Sequence, residues 1–254
     1  MTENPILQKR QGNALVLTLN DPARLNPIGA GTRKALSEAL ENAEADPNLR
    51  AIVLTGAGGN FSSGGDISTM DAPQRLKRIN FEHVKHLANQ VTGASVPVIA
   101  AVEGWAAGAG FALAMLCDTV IAGKSARFMS AFPKIGLMPD YGLLGSLPAR
   151  VGQARARQIM LYAKPVSAED GNDYGMVDTL CEDGQSVTEA LKLADHIETL
   201  APGALQAIKA FDSGRLDRAI DYERDVQPGL LDSENAKEGR AAFFEKRPPN
   251  FKAV

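Results

Sequence analysis

The chain has 254 residues, of which 44% are hydrophobic and 22% are charged. This composition is typical of a folded domain and excludes a disordered chain, a coiled coil and a collagen-like repeat. Twenty-seven basic and 30 acidic residues give a net charge of −3. A general nucleic-acid-binding protein usually has a basic excess, so the charge argues against a nucleic-acid partner.

The two cysteines, Cys117 and Cys181, are not part of a CxxC motif. This excludes a zinc ribbon and a thioredoxin motif, and we expect two buried, reduced thiols in a cytoplasmic protein. The first ten residues lack the basic-then-apolar pattern of a signal peptide. The most apolar region, residues 96–122, is interrupted by Glu103 and Asp118, and its charge-free part is shorter than the ~20 residues that cross a bilayer. No membrane partner is therefore expected.

Strands and helices alternate along the first part of the chain. Strands are predicted at residues 14–19, 51–55, 96–102, 119–122 and about 127–130, and helices at 32–45, 74–92 and 108–116. This alternation is typical of an α/β fold with largely parallel, buried strands.

From residue 152 onward the apolar spacing is helical. Helices are predicted at residues 152–161, 167–173, 187–199, 202–211 and about 215–245. Proline and glycine residues separate these segments, as expected at helix ends. We therefore predict an α/β core at residues 1–190 and a helical C-terminal region at residues 191–254.

Two glycine-rich turns each follow a buried strand. Residues 60–66 read NFSSGGD, and residues 104–110 read GWAAGAG and begin a helix. Glycine lets a ligand approach the backbone, and the free N–H groups of a helix start favour an anion. Neither turn is a P-loop or a dinucleotide fingerprint. The interpretation that remains is a pair of backbone donors for a developing negative oxygen, each worth roughly 3 kcal/mol in a transition state. Tight strand–helix packing is the alternative.

Five motifs in order carry a resemblance to a known family. They are FSSGGDI, VPVIAAVEGWAAGAGFALAMLCD, IGLMPDYG, LPARVGQARARQIML and VSAEDGNDYGMVD. Together, over residues 15–251, they resemble the enoyl-CoA hydratase/isomerase (crotonase) family. The resemblance implies a spiral of β-β-α units with a C-terminal helical trimerisation region, assembled as a homotrimer or homohexamer. It also implies an acyl-CoA substrate with no cofactor and no metal.

The resemblance assigns the two backbone donors of the family's oxyanion hole to Gly65 and Ala109. A thioester carbonyl becomes an enolate during the reaction, and two fixed N–H dipoles stabilise its oxygen. Family hydratases also use two glutamates, whose positions correspond to Ala112 and Phe132 here. Hydration by a glutamate pair is therefore in doubt.

One carboxylate remains, Asp140 in the turn GLMPDYG. Family isomerases place their acid–base carboxylate at this turn, and the motifs look closest to the 1,2-epoxyphenylacetyl-CoA isomerase and enoyl-CoA isomerase subgroup. Burial among Phe132, Leu137, Met138 and Tyr141 would raise the pKa of Asp140 and improve it as a base. An ordinary turn or helix-cap role is the alternative for this residue.

Other reactions remain open. On the same fold, hydration of an unusual enoyl-CoA, dehalogenation with Asp140 as nucleophile, or thioester hydrolysis would be compatible with these residues. From another class, a non-catalytic acyl-CoA-binding or RNA-binding protein is possible, although the balanced charge argues against RNA.

The resemblance also implies which residues hold the substrate. Arg24 and Leu25 would lie near the phosphates and adenine, and Ser63, Asp66 and Ile67 would border the adenine and pantetheine. In addition, Phe132 and Trp105 would lie beside the acyl thioester, and Phe244 and Lys246 would reach the nucleotide. The alternative for Trp105 is packing in the core, and the alternative for Lys246 is a position in a solvated tail. We expect the Asp66 carboxylate to tie its loop or cap the next helix.

His83 and His86 have a spacing that could suit a metal, but no third ligand is evident and we expect no metal site. The helical pattern instead places His83 with Leu76 and Leu87 on the inner side of its helix, where it could touch substrate.

Overall fold

A computed structural model describes residues 4–71, 73–213 and 216–252, without the side chains of residues 74 and 211–213. The strands are β1 (Ile6–Gln11), β2 (Ala14–Leu19), β3 (Ala51–Gly56), β4 (Val98–Val102), β5 (Trp105–Ala107), β6 (Thr119–Gly123), β7 (Arg127–Met129), β8 (Val166–Ser167) and β9 (Thr179–Cys181). The helices are α1 (Ala30–Glu44), α2 (Gln74–Gly93), α3 (Ala109–Leu116), α4 (Leu143–Val151), α5 (Gln153–Tyr162), α6 (Ala168–Asp173), α7 (Ser186–Glu198), α8 (Pro202–Ser213), α9 (Asp217–Asp232) and α10 (Glu234–Glu245).

Most strands belong to one sheet with the order β1-β2-β3-β4-β6-β9. The pairing is parallel except for β1 with β2. A smaller sheet has the order β5-β7-β8. Because a strand of the large sheet, a strand of the small sheet and a helix follow one another twice, as β4-β5-α3 and β6-β7-α4, the predicted spiral of β-β-α units is confirmed.

Both faces of the central strands β2, β3, β4 and β6 of the large sheet are largely buried, as expected for parallel strands. Side chains alternate between two cores. Ile52 and Leu54 of β3 belong to the larger core, while Val53 of the same strand packs into a smaller core with Ala190 and Ala194 of α7. The predicted boundary at residue 190 thus falls inside α7, a helix that covers the sheet, and the α/β core continues through this helix.

The predicted strands and helices are present, and the structure adds elements that the sequence analysis missed. These are β1, β5, β8, β9 and α4. Strand β1 is an edge strand whose side chains are mostly exposed and polar, and strands β5, β8 and β9 are only two to three residues long. Helix α4 follows a glycine turn. None of these elements therefore shows a clear apolar periodicity. The predicted helix at residues 215–245, whose first residue lies outside the described residues, is divided at Ser233, which caps α10 through its hydroxyl.

The C-terminal helices pack onto the core. Helix α9 lies against α2 and α4, and α10 lies against the turn Phe132–Ile135. This approach is close because a Cβ at Gly239 would stand 2.5 Å from the backbone of Ile135. Residues from α9 and α10 therefore reach the neighbourhood of the turn that carries Asp140.

Both cysteines are free and buried, as predicted. Within the described residues, no group of three or more His, Cys, Asp or Glu side chains could hold a metal, and no helix is long and apolar enough to cross a membrane.

Candidate active site

The two glycine-rich turns lie side by side. Ser62 and Ala106 form a parallel bridge in which the Ser62 N–H donates to the Trp105 carbonyl at 2.9 Å. The Ala107 N–H then donates to the Ser62 carbonyl at 2.9 Å. Gly65 and Ala109 each lie three residues beyond a member of this bridge, so the pairing carries both predicted donors to the same end of the turns.

Three glycines make this approach possible. A Cβ at Gly110 would lie 2.5 Å from the Ser62 Cβ, and one at Gly64 would lie 2.9 Å from the Ala107 carbonyl oxygen. Gly108 precedes α3 with φ 49° and ψ −123°, a conformation that side chains rarely allow. The turns therefore require glycine both for space and for backbone conformation.

The N–H groups of Gly65 and Ala109 have no hydrogen-bond partner within the described part of the chain. Both residues line a common cavity. Ala109 is the first residue of α3, where helix N–H groups lack internal partners and the helix dipole favours negative charge. An oxyanion hole requires two such unpaired donors at one cavity.

The cavity has a volume of about 430 Å³ and extends from these turns to α2, α9 and α10. Its lining includes the predicted residues Arg24, Ser63, Gly65, Asp66, Ile67, Ala109, Phe132, Asp140 and Phe244. It also includes residues that the sequence analysis did not propose to contact substrate, among them Arg33, Lys77, Asn80, Tyr141 and Gln227. The structure thus brings the predicted donors and the predicted carboxylate to one cavity.

Asp140 has a buried Oδ1 without a hydrogen-bond partner in the described residues. Its Oδ2 is 3.5 Å from the Gln227 amide nitrogen. Burial raises the pKa of Asp140 to about 7, and the Gln227 amide and the Arg33 charge oppose part of this rise. The predicted rise in pKa is therefore confirmed in direction, and a carboxyl group with this pKa can accept and return a proton near neutral pH.

The turn after Asp140 is held by Glu223 of α9. Tyr141 and Gly142 have φ values of 54° and 73°, and the Glu223 carboxylate accepts from the Gly142 N–H at 2.6 Å and from the Leu144 N–H at 3.2 Å. The Glu223 side chain thus caps the N-terminus of α4. A helix-cap role was the alternative predicted for Asp140, and Glu223 fills it instead. Burial raises the pKa of Glu223 to about 8, opposed by the Gly142 hydrogen bond and reinforced by the Asp140 charge.

Gln227 holds the backbone two residues before Asp140. Its side-chain amide donates to the Met138 carbonyl at 2.6 Å and accepts from the Met138 N–H at 3.2 Å, and Gln227 itself is fully buried. This two-point contact fixes the segment from which the Asp140 side chain projects.

We expect Gln227→Leu to lower the free energy of unfolding by about 2 kcal/mol, because buried peptide groups that lose their partners cost 1–3 kcal/mol each. Turnover should fall as well, since the Asp140 turn loses its support. Urea unfolding and a turnover assay measure the two effects. The control is Gln153→Leu, at an exposed position on α5. Equal stability of the two variants would show that the Met138 contact is dispensable.

Arg24 and Asp66 both line the cavity and contact each other. The Arg24 guanidinium pairs with Asp21 and with Asp66, at 2.6 and 3.2 Å. Asp66 also accepts from the Ser68 N–H and caps the short helix Ile67–Thr69, so its expected capping role is confirmed.

Three predicted substrate residues do not line the cavity within this chain: Leu25, Trp105 and Lys246. Leu25 and Lys246 have left-handed backbone conformations at the ends of short or terminal helices, and their side chains are exposed. The Trp105 side chain is 37% exposed, so its alternative role in the core is not met either.

The prediction for His83 is wrong, because its side chain is exposed and lies outside the cavity lining. Helix α2 presents Lys77, Asn80, Phe81 and Val84 to the cavity. Leu76 and His83 precede this stripe by one residue, a rotation of about 100° around the helix. His86 is also exposed and lies 3.4 Å from Glu41.

The comparisons with known proteins agree with this architecture. A family model described as enoyl-CoA hydratase/isomerase matches residues 9–253. The 1,2-epoxyphenylacetyl-CoA isomerase of Escherichia coli is 37% identical over 256 residues, which cover 97% of both chains. A probable enoyl-CoA hydratase of Rhodobacter capsulatus is 39% identical over 241 residues, 93% of both chains. A solved enoyl-CoA hydratase from Mycobacterium avium subsp. paratuberculosis has a TM-score of 0.89 at 30% identity, covering 98% of this chain and 99% of that one.

The fold and the paired turns define an enzyme with the crotonase fold. The chain belongs to the enoyl-CoA hydratase/isomerase family. Its relatives include both isomerases and hydratases.

Proposed function

We propose that the protein is an isomerase of acyl-CoA thioesters, which moves a carbon–carbon double bond or isomerises a ring acyl group. The observation that carries this proposal is the carboxyl group of Asp140, which lines the same cavity as Gly65 and Ala109 and has a pKa near 7, whereas Asp66, the other described carboxyl group of the lining, is held by Arg24 and Ser68. One such group suffices for an isomerase, because the same carboxylate removes and returns the proton.

In the proposed reaction, the Asp140 carboxylate takes a proton from the α-carbon of a 3-enoyl thioester. The electron pair moves into the thioester, and the resulting enolate oxygen accepts hydrogen bonds from Gly65 and Ala109. The protonated Asp140 then returns its proton to the γ-carbon, which leaves a conjugated 2-enoyl thioester of unchanged mass. The reaction is redox-neutral and requires no cofactor or metal.

Hydration is the second candidate, since several relatives are called hydratases. Glutamate-pair hydration requires a second carboxylate to activate water, but the family resemblance assigns the two glutamate positions to Ala112 and Phe132, both of which are buried. Glu223 does not substitute for them, because its oxygens face the Gly142 and Leu144 N–H groups and it does not line the cavity. These observations favour the isomerase over the hydratase.

The test is a turnover assay with 3-hexenoyl-CoA and 2-hexenoyl-CoA. We expect 3-hexenoyl-CoA to gain the absorbance of a conjugated thioester without a change in mass. A product heavier by one water would indicate hydration, and free coenzyme A thiol would indicate hydrolysis. A chlorinated aryl-CoA that releases chloride would indicate dehalogenation with Asp140 as nucleophile. Any of these products in place of the conjugated isomer would contradict the proposal.

The rate should depend on pH through the raised pKa of Asp140. The first step requires the carboxylate, and with a pKa of about 7 this form is lost as the pH falls below 7. We therefore expect kcat/KM to fall about tenfold per pH unit below about pH 6 and to level off above about pH 8. Initial rates between pH 5.5 and 8.5 measure the profile. A kcat/KM that stays constant down to pH 5.5 would contradict the raised pKa.

We further propose that coenzyme A binds along Arg24, Ser63, Asp66 and Ile67 at the cavity mouth, as the family resemblance implies. Leu25, Trp105 and Lys246 would take part only in an assembled homotrimer or homohexamer, since they lie outside the lining of this chain. Two exposed apolar side chains on the C-terminal helices, Ile208 and Tyr222, lie outside the cavity lining and support an assembly. Light scattering during gel filtration tests the oligomeric state.

The two buried free thiols support a location in the reducing cytoplasm.

A further inference from the structure

One wall of the cavity is formed by α2 and α9, which pack against each other. Helix α2 contributes Phe81 and Val84 to this wall, and α9 contributes Leu231, all three apolar and buried. Leu231 lies about one helical turn from Gln227, the residue whose amide is 3.5 Å from the Asp140 carboxylate. An apolar wall that begins beside the reacting carboxylate favours a hydrocarbon chain, so we expect the acyl group along it.

A lysine closes this wall. Lys77 lies on α2 about one turn before Phe81 and lines the cavity, yet only 6% of its side chain is exposed. Its ammonium group pairs with Asp232, whose side chain is 44% exposed and does not line the cavity. Lys77 therefore spans the wall from the cavity to the outer surface, with its charged end held outside by Asp232. Long lysine side chains commonly cover apolar surface in this way.

The corner between α9 and α10 holds this end of the wall in place. Asp232 lies five residues beyond Gln227, or about 7.5 Å along the helix axis. Just before it, the Leu231 carbonyl accepts from the Arg240 guanidinium at 3.2 Å, and Arg240 also pairs with Asp71 at 2.6 Å. Because the partner helix is fixed by these contacts, the Lys77 side chain has a rigid support on the far side of the gap.

We propose that Lys77 is a specificity-determining residue that admits short and medium-length acyl chains and excludes long ones. A chain that extends past Leu231 meets the Lys77 side chain where it crosses the wall. To continue, the chain must displace Lys77 from Asp232, and a buried charge that loses its partner is strongly unfavourable. The inference rests on the proposed function in that the cavity is taken as the acyl-CoA site.

Two saturated ligands, hexanoyl-CoA and dodecanoyl-CoA, test the proposal. Their dissociation constants are measured by calorimetry on the wild type and on three variants. Lys77→Ala removes the side chain from the wall, and Asp232→Ala releases the charged end of Lys77 without touching the cavity lining. Lys85→Ala is the matched control, because Lys85 also joins α2 to α9, through an ion pair with Asp221 at 2.6 Å, but does not line the cavity.

We expect the wild type to bind dodecanoyl-CoA no more tightly than hexanoyl-CoA, because the additional methylene groups find no apolar pocket. In Lys77→Ala the opened wall should let dodecanoyl-CoA bind at least tenfold more tightly than hexanoyl-CoA, since each methylene group that leaves water tightens binding about three- to fourfold. Asp232→Ala should shift the preference in the same direction by about threefold. Lys85→Ala should behave as the wild type, and thermal unfolding shows whether each variant is folded.

A wild type that binds dodecanoyl-CoA tenfold more tightly than hexanoyl-CoA would overturn the proposal. An equal gain in Lys77→Ala and Lys85→Ala would do the same, because the ion pairs would then act by holding the helices together. If Lys77→Ala does not fold, an unchanged preference in Asp232→Ala overturns it. Neither ligand has a double bond to move, so a failed isomerase assay with the expected preferences rejects only the reaction. A wild type that does not bind hexanoyl-CoA contradicts both the acyl-CoA site and this inference.

Discussion

Asp140→Asn is expected to lower kcat for the isomerisation of 3-hexenoyl-CoA by about 10³-fold, because general acid–base catalysis by a positioned side chain contributes about 10²–10⁴-fold. Asparagine has the same shape as aspartate but cannot accept the α-proton. The cavity and the Gly65 and Ala109 donors are unaltered by the change, so binding of hexanoyl-CoA should stay within a few fold. Steady-state kinetics and calorimetry measure the two quantities.

The same variant should be at least as stable as the wild type at pH 8. The pKa of Asp140 is raised to about 7 in the fold, above its ordinary value near 4, so the folded protein binds this proton more tightly than the unfolded chain. The wild type therefore loses stability as the pH rises from about 4 to about 7, and the penalty is fully present at pH 8. Asparagine removes this ionisation, and thermal unfolding at pH 5 and pH 8 compares the two proteins.

The control for this prediction is Asp195→Asn, at an exposed position on α7 outside the cavity lining. Its turnover and stability should match the wild type. Full activity of Asp140→Asn would remove Asp140 from the chemistry and leave the proposed reaction without its base. An inactive Asp140→Asn that is also unfolded at pH 8 would contradict the charge argument.

Gly108→Ala is expected to lower kcat by about 10²-fold, since losing one oxyanion donor costs about 10²–10³-fold. Gly108 has φ 49° and ψ −123°, where a Cβ is strained by about 1–3 kcal/mol. Space is not the obstacle, because the added Cβ would stand 3.7 Å from the nearest atom, the Gly64 Cα. The backbone must instead rotate, and this rotation turns the N–H of the next residue, Ala109, away from the enolate oxygen.

Gly12→Ala provides the matched control. Gly12, between β1 and β2, also has a positive φ of 58°, and nothing lies within 4 Å of an added Cβ. This variant should lose stability, by about 1 kcal/mol, without losing turnover. If Gly108→Ala keeps its kcat while losing the same stability, the Ala109 N–H is not an oxyanion donor. A rise in KM at unchanged kcat would assign Gly108 to substrate binding instead.

Local patterns in the sequence were sufficient to predict the central strands, the paired glycine turns and the position of Asp140. Runs of β-branched and aliphatic residues located the central strands, because parallel strands buried on both faces must be apolar throughout. Glycine clusters after two of them located the paired turns, because only glycine permits the backbone contacts that Gly64 and Gly110 make. The turn motif identified Asp140, and its apolar neighbours gave the direction of its pKa shift.

Apolar periodicity was less reliable for predicting which side of a helix is buried, when two possible stripes of residues are offset by one position. The apolar spacing of α2 placed His83 on the inner side, yet Phe81 and Val84 face the cavity and His83 is exposed. The position of the partner elements determines which stripe is buried, and the helix sequence does not specify those positions.

Only the tertiary structure showed what supports and surrounds Asp140. Gln227 and Glu223 lie in a helix whose many charged residues resemble a solvated face, and their partners Met138 and Gly142 are 89 and 81 residues away in the chain. Arg33 likewise comes from α1 to the wall of the cavity. A polar side chain has the same local sequence pattern whether water or a distant peptide group binds it. The packing of α1 and α9 against the core therefore decides which polar residues serve the site.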